Sequence, residues 1–355
     1  MADRGTTPAW LPIAAVASLV LVVGAVLLSA GSTLGYDFHA YANAADRLLH
    51  GQPLYDPTIN VAGGFAIYLY PPPFVLLVLP FALLPDPTAA ITWIGAMAAA
   101  FLLGAALLPV RREVRWAVVL LGGLSWPLAY SLKLGQVGPL LFLLFSAGWR
   151  WLDRPGPLGA VIALGTIVKV QPAILLAWAG LTRRWRAIGF ALGALLVAGL
   201  LATLVTGLTT WSDYVELLRR VSGPVTTPHN FTPGAIAFQL GASEALASAI
   251  QLAATVAVLA IVAWTGLRSP AAVSYLVAVT ASQLLSPLLW DHYAMLLLLP
   301  VAWLLDRRRW WAALIPLATA TPIVLLGIVP AAIYPILFAV GLVAPPVVAA
   351  RSSRA

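Results

Sequence analysis

Apolar runs separated by proline, glycine and arginine-rich breaks repeat from one end of this chain to the other, and their lengths predict helices rather than strands. The candidates are 10–30, 88–109, 117–132, 137–149, 157–168, 171–182, 187–206, 246–266, 271–285, 289–305, 310–328 and 331–350. Crossing a hydrocarbon core about 30 Å thick takes about 20 helical residues, so these runs predict about twelve transmembrane helices. Several are shorter than about 17 residues and must borrow interfacial residues or break inside the protein. A further apolar stretch, "YPPPFVLLVLPFALLP" at 70–85, is bounded by prolines and interrupted at Pro80. It is expected to be re-entrant or interfacial, because a crossing here would move every later basic cluster to the opposite side.

Composition closes off other classes. Of 355 residues, 61% are hydrophobic and only 9% charged, which describes an integral membrane protein with no soluble domain left over. The expected fold class is all-α integral membrane: one polytopic unit over 1–355 with long loops at 31–70 and 207–245. No cysteine is present, so no disulfide forms. The first run follows Arg4 and is long enough to be an uncleaved first span rather than a signal peptide. The net charge of +8 comes from short clusters and not from a continuous basic face, so nucleic acid is not an expected partner.

Those clusters set the orientation. With the N-terminus in the cytoplasm, the inside receives Arg4, Arg111, Arg112, Arg115, Arg150, Arg154, Arg183, Arg184, Arg186, Arg268, Arg307, Arg308, Arg309, Arg351 and Arg354. Only Arg47, Lys133, Lys169, Arg219 and Arg220 fall outside or at its edge, a strong positive-inside bias that also puts the C-terminus in the cytoplasm. All four histidines and most of the carboxylates then lie outside. A binding or catalytic site is expected on that face.

The first polar stretch is "GYDFHAYANAADRLLHGQPLYDP", 35–57. Phe38, Tyr41, Ala42, Ala45, Leu48 and Leu49 recur at helical spacing, which predicts an amphipathic surface helix over 37–49 with Gly51 as its stop. Asp37 stands at its start, where an aspartate is most often an N-cap. Lys169 in "GTIVKVQP" is either a lysine snorkelling to the interface or a cation set for an anionic phosphate. Lys133 with Gln136 in "LKLGQVGP" makes a weaker case of the same kind. In "QLLSPLLWDHY", 283–293, Ser286-Pro287 breaks one helix. Trp290 would suit an interfacial belt, but the ionisable pair Asp291-His292 exceeds what a belt needs. His229 and Asn230 in "PVTTPHNFTPG" are equally well loop residues or substrate contacts.

Several activities lack their usual groups. The chain has no Walker loop, no GxGxxG after a strand, no HExxH and no GxSxG. A secondary transporter or lipid-linked sugar flippase remains the alternative, with Asp37, Lys169 and His292 as relays. Clustering of these groups at one face, and the lack of a clear internal repeat, disfavour it.

The ordered series "YDFHAYANAADRLLHGQPLYDP", "YLYPPPFVLLVLP", "LKLGQVGPLLFLLF", "VKVQPAILLAWAGLTRRWRA" and "LLSPLLWDHYAMLLLLP" resembles glycosyltransferase family 87, polyprenyl-phosphate-mannose-dependent mannosyltransferases of the GT-C fold. The resemblance spans roughly residues 33–305, and the Ala-, Arg- and Pro-rich composition is similar to that of actinobacterial members. It implies a multi-pass enzyme of the plasma (inner) membrane. Such an enzyme transfers mannose, with inversion, from polyprenyl-phosphate-mannose to a glycolipid or lipoglycan on the extracytoplasmic face. The family's catalytic aspartate falls on Asp37, which would be the general base for the acceptor hydroxyl. No second carboxylate is needed as acid, because the lipid phosphate leaves as a stable anion. Lys169 with Gln171 would hold the donor phosphate, with Arg219 or Arg220 as alternatives. His292 would line the cavity together with His39, Tyr41, Tyr70, Lys133, Gln136, His229, Asn230, Ser286, Trp290 and Asp291. No cofactor is expected: Asp37 without a carboxylate partner nearby in sequence is a poor magnesium site, although Asp291 could supply one in space.

Overall fold

The computed structural model describes residues 7–58, 67–221 and 224–352. Arg4, Arg354 and parts of the loops expected at 31–70 and 207–245 lie outside the described residues. Among the described residues the chain is helical throughout, with no strand and one isolated antiparallel bridge between Ser125 and Ala320.

Five helices are long and apolar enough to cross a membrane: α1 (Trp10–Ser29), α4 (Asp86–Leu107), α10 (Trp185–Thr206), α13 (Glu244–Arg268) and α18 (Ile333–Ser352). Counting as one span the pair α6 (Trp126–Leu134) and α7 (Gly138–Arg150), bent by 119° at their junction, makes six. Length and composition therefore support five or six spans rather than twelve. The other expected runs form shorter apolar helices: α8 (Pro155–Val168), α9 (Ile174–Leu181) and α14 (Ala271–Leu284).

Two expected helices are broken. The run at 117–132 divides at Ser125 between α5 (Arg112–Leu124) and α6, where the Ser125 backbone turns extended and bridges to Ala320. The run at 310–328 is a 3-10 turn at Trp310–Ala313 followed by α16 (Leu314–Leu317) and α17 (Thr321–Leu325). Pro316 and Pro322 each remove an amide from the ladder, and Pro322 takes the first turn of α17, where a missing amide costs nothing. The stretch at 70–85 forms α3 (Val75–Ala82) after a 3-10 turn and packs on α2 (Tyr36–Leu49).

At the centre stands α14, buried at every position from Val273 to Leu284, followed by a 3-10 segment, Asp291–Leu297, and α15 (Leu298–Asp306), buried from Leu298 to Leu305. Burial on every face from Val273 onward makes α14 a core helix. At the rim, α10 and α13 turn leucines outward; Leu204 is 82% exposed. Such surface is stable only against lipid, so the chain is a multi-pass membrane protein. Close crossings rest on small residues: a Cβ on Gly104 of α4 would lie 2.7 Å from the Phe142 ring of α7.

The surface helix α2 buries Phe38, Tyr41, Ala44 and Ala45 and exposes the opposite face. Phe38 stacks on Trp93 of α4 with ring centroids 5.3 Å apart. The start of α2 is seated by two left-handed glycines. Gly35 (φ +72°) is the N-cap, and its amide donates to the Lys133 carbonyl at 2.8 Å. Gly135 (φ +68°) ends α6; a Cβ there would sit 2.8 Å from the Phe38 Cβ and 3.5 Å from the Gly35 Cα.

Gly135→Ala therefore meets both a strained backbone, about 1–2 kcal/mol, and a clash with Phe38. Gly51→Ala (φ +70°), with open space around its Cβ, meets the strain alone. The thermal unfolding midpoint of Gly135→Ala should fall clearly below that of Gly51→Ala. Equal midpoints would show that the seat tolerates a methyl group.

Candidate active site

Asp37 is not an N-cap. Gly35 occupies that position, leaving Asp37 in the first turn of α2 with its carboxylate pointing to the break between α6 and α7. Gln136 lies in that break, held by its amide on the Ser131 carbonyl at 2.8 Å, and its side-chain Nε2 donates to Asp37 Oδ2. The other end of the amide, Oε1, accepts from the Tyr70 hydroxyl at 3.2 Å, and Tyr70 shares a 2.7 Å hydrogen bond with the Tyr41 hydroxyl. Asp37, Gln136, Tyr70 and Tyr41 thus form one continuous chain of hydrogen bonds. Burial pushes the Asp37 carboxyl above the usual carboxylate range, while His292, the Gln136 hydrogen bond and Lys169 each pull it back.

Lys169 follows the last residue of α8, where the backbone turns extended before a short 3-10 turn into α9. Its Nζ lies 2.5 Å from the Tyr293 hydroxyl and 3.8 Å from the centre of that ring. Two residues on, Gln171 Nε2 donates to Ser286 Oγ at 2.9 Å. Lys169 forms no ion pair with a carboxylate among the described residues. Its charge acts on Asp37 at longer range.

The "WDHY" run opens the 3-10 segment that precedes α15, seven residues in a conformation that ordinarily lasts three or four. Asp291 takes the Trp126 indole N–H at 2.8 Å and the His292 amide at 2.8 Å. His292 is 3% exposed, flanked by Tyr130, Trp290 and Tyr293, and both ring nitrogens lack a hydrogen-bond partner among the described residues. Its Nδ1 is 3.6 Å from Asp291 Oδ1, within ion-pair range but beyond a hydrogen bond. A buried imidazole with two unused nitrogens is costly unless something else fills them.

Residues 68–289 match the model of Glycosyltransferase family 87. The chain is also 30% identical, over 82% of its own length and 72% of the relative's, to a Mycobacterium tuberculosis protein named polyprenol-phosphate-mannose-dependent alpha-(1-2)-phosphatidylinositol pentamannoside mannosyltransferase. The chain belongs to glycosyltransferase family 87. It is therefore a glycosyltransferase. A protein of the same name from Mycolicibacterium smegmatis is 28% identical, over 76% of the chain and 69% of the relative. Another from M. tuberculosis, named for a phosphatidylinositol mannoside acceptor, is 26% identical over 75% and 72%. No solved structure matches. The family match begins after Asp37 and ends before His292, so the geometry above is the chain's own evidence for those two side chains.

Of the other expected site residues of this family 87 chain, His39, Lys133, Arg219, Arg220, His229 and Asn230 make their contacts outside the Asp37 hydrogen-bond chain. His39 turns to the Leu34 carbonyl, 3.1 Å, and to Asp86 at the start of α4, 3.1 Å. Lys133 lends its carbonyl to Gly35. Arg219 pairs loosely with Glu216 within α11 (Thr210–Arg220), and Arg220 reaches the Pro57 carbonyl at 2.9 Å, tying the two loops together. His229 is exposed at φ +61°. Asn230 is wholly buried: it donates to the Pro287 carbonyl at 3.1 Å, and its Oδ1 accepts the Thr232 and Leu289 amides. Its role in the structure is to pin the second loop to the break after α14. Trp290 stacks over His292, and Ser286 meets Gln171.

Sequence reasoning missed Tyr293, Trp126 and Tyr130, which surround Lys169, Asp291 and His292. It also missed Tyr55, whose hydroxyl donates to the Tyr70 carbonyl at 2.7 Å and whose ring stacks on Tyr214. Tyrosines scattered through apolar sequence look like interfacial belts, and only the fold brings these together.

Asn230→Ala strands two amides and a carbonyl, each costing about 1–3 kcal/mol if left unpaired. The variant should lose several degrees of thermal midpoint, whereas His229→Ala, at an exposed position, should lose almost none.

Proposed function

We propose that this chain transfers a mannosyl residue from a polyprenyl-phosphate-mannose donor to a glycolipid of the phosphatidylinositol mannoside type, with Asp37 as general base. The relatives' names support donor and acceptor. The observation that carries the assignment of roles is the Asp37–Gln136 pair beside Lys169 and His292: a half-buried carboxylate held in place by an amide and left unneutralised by direct contact with a cation. A lipoglycan acceptor would use the same groups.

Each group then has a task. Asp37 takes the proton from the acceptor hydroxyl as its oxygen attacks the anomeric carbon. The bond from that carbon to the phosphate oxygen breaks, and polyprenyl phosphate departs as an anion beside the Lys169 ammonium. A single displacement inverts the anomeric centre, so an α-linked product calls for a β-linked donor. His292, with two unused nitrogens, orients a sugar hydroxyl. Tyr70 and Tyr41 fix the Gln136 amide so that it presents its N–H, and not its oxygen, to the carboxylate.

The overall arrangement reads as a GT-C-type helical bundle in the plasma membrane, termini cytoplasmic and site extracytoplasmic. The supporting feature is polarity of the bundle. Helix α7 starts and α8 ends at the site, and both, with α15, reach the arginine-rich turns at their other ends, where Arg111 meets Asp306 and Arg184 meets Asp153. The 13 residues of α7 and 14 of α8 span about 20 Å, less than the hydrocarbon thickness of about 30 Å. The site is accordingly recessed to a depth that a lipid-borne phosphate reaches from within the bilayer.

Asp37→Asn keeps shape and the thermal midpoint but removes the base, so transfer of labelled mannose from polyprenyl-phosphate-mannose into membrane glycolipid should fall about 10²- to 10⁴-fold. Full transfer by that variant removes Asp37 from the mechanism. The base works only when ionised, so activity is lost as pH falls through its pKa in the folded protein. Gln136→Ala withdraws a bond that lowers this pKa, and the acid limb of the pH profile should move to higher pH. An unmoved limb disproves the contact.

A further inference from the structure

A cavity lies at the opposite end of α8 from Lys169. Its volume is about 390 Å³, and it opens between the turn before α8 and the turn from α9 to α10. Arg183, Arg184 and Arg186 line it with one carboxylate, Asp153. Arg184 is braced: its guanidinium donates to the Leu152 carbonyl and to Asp153 at 3.4 Å, and it lies 5.4 Å from the Trp178 ring centre. Its Nε is nevertheless buried with no acceptor among the described residues.

Other features of the same place favour an anion. The first turns of α8 and α10 both face the cavity through Pro155, Leu158, Trp185 and Ala187, and neither helix has a side-chain cap, so two positive dipole ends converge on it. The crossing that brings them together is close, since a Cβ on Gly159 would meet the Ala187 carbonyl at 2.6 Å. Above the cavity the α10 face that begins at Arg186 continues through Phe190, Val197 and Leu204, which are 58%, 57% and 82% exposed. A charged cavity that opens onto an uncovered apolar stripe has the two parts of a phospholipid, in order.

The geometry points to a binding site for an anionic phospholipid at the arginine-rich end of the bundle: the phosphate takes the Arg183, Arg184 and Arg186 donors, and an acyl chain lies along α10. Basic recesses between membrane helices suit such head groups. The site is about 20 Å from Lys169, the length of α8, so its occupant is distinct from the sugar donor. Its effect is to clamp the α8–α10 crossing, which also carries Lys169 at its far end.

The test uses the full chain in an uncharged detergent and reads the thermal midpoint on adding phosphatidylglycerol, phosphatidylcholine or inorganic phosphate. Phosphatidylglycerol should raise the midpoint by about 5 °C, and the other two by little. The double variant Arg183→Gln/Arg186→Gln, whose exposed side chains make no hydrogen bond or ion pair among the described residues, should lose most of that rise relative to its own lipid-free midpoint. Lys169→Gln should keep it. The proposal is overturned if the double variant keeps the rise, if Lys169→Gln loses it, or if phosphatidylcholine or inorganic phosphate produces it equally.

Discussion

A carboxylate set among apolar helices needs a donor, and for Asp37 that donor is Gln136. The contact exists because α6 stops at a left-handed glycine and the chain bends by 119° into α7, leaving Gln136 at the corner. Gly35, left-handed too, lets the first turn of α2 come within van der Waals reach of that corner. A side chain at Gly135 would meet the Phe38 Cβ at 2.8 Å and press the first turn of α2 away from the corner. Around this junction Tyr70 and Tyr41 settle the amide's orientation, and Trp93 donates to the Gly135 carbonyl at 2.7 Å, fixing the corner from behind.

The rest of the bundle keeps two kinds of polarity apart. Its buried spine, α14 followed by the 3-10 segment and α15, carries Ser286, Asp291 and His292 at one end and reaches Asp306 and the arginine turn at the other. Regular hydrogen bonding lapses at the site end: after α8 at Lys169, between α6 and α7 at Gln136, and after α14 at Ser286. In a membrane such breaks persist only where the freed groups find protein or a water-lined cavity. Three of them meeting in one place is the structural mark of this site. The proposed chemistry needs that arrangement, because polar groups on intact helices would point into lipid or be spent on each other.

Much of the helical framework was legible in the chain. The long spans were found within two or three residues, since a run of apolar residues ended by Pro, Gly or Arg has one economical conformation in a bilayer. The helix α2 is legible from the spacing of Phe38, Tyr41 and Ala45, and the proline-bounded stretch at 70–85 holds the short helix α3. The failures share a cause. The run at 310–328 is apolar enough for a helix, but Pro316 and Pro322 divide it, and its partner at Ser125 is nearly two hundred residues away. Asp37 was an ordinary cap by position, and only the placement of Gly35 shows otherwise. Asn230 had the chemistry of a substrate contact until its amide and carbonyl were seen to be used by the backbone on both sides.

What the sequence determined by itself was the medium and the period: a helical membrane protein, short basic turns between apolar runs, ionisable residues gathered near a few helix breaks. These are properties of local composition, and hydrophobicity acts on each segment wherever the rest of the chain lies. The tertiary structure alone decided which breaks meet. Asp37 and Gln136 are 99 residues apart, and Lys169 and Tyr293 are 124 apart. Nothing in the sequence distinguishes those pairings from a dozen others, because in lipid they depend on close helix crossings through glycine and on the direction each break imposes, not on any local preference.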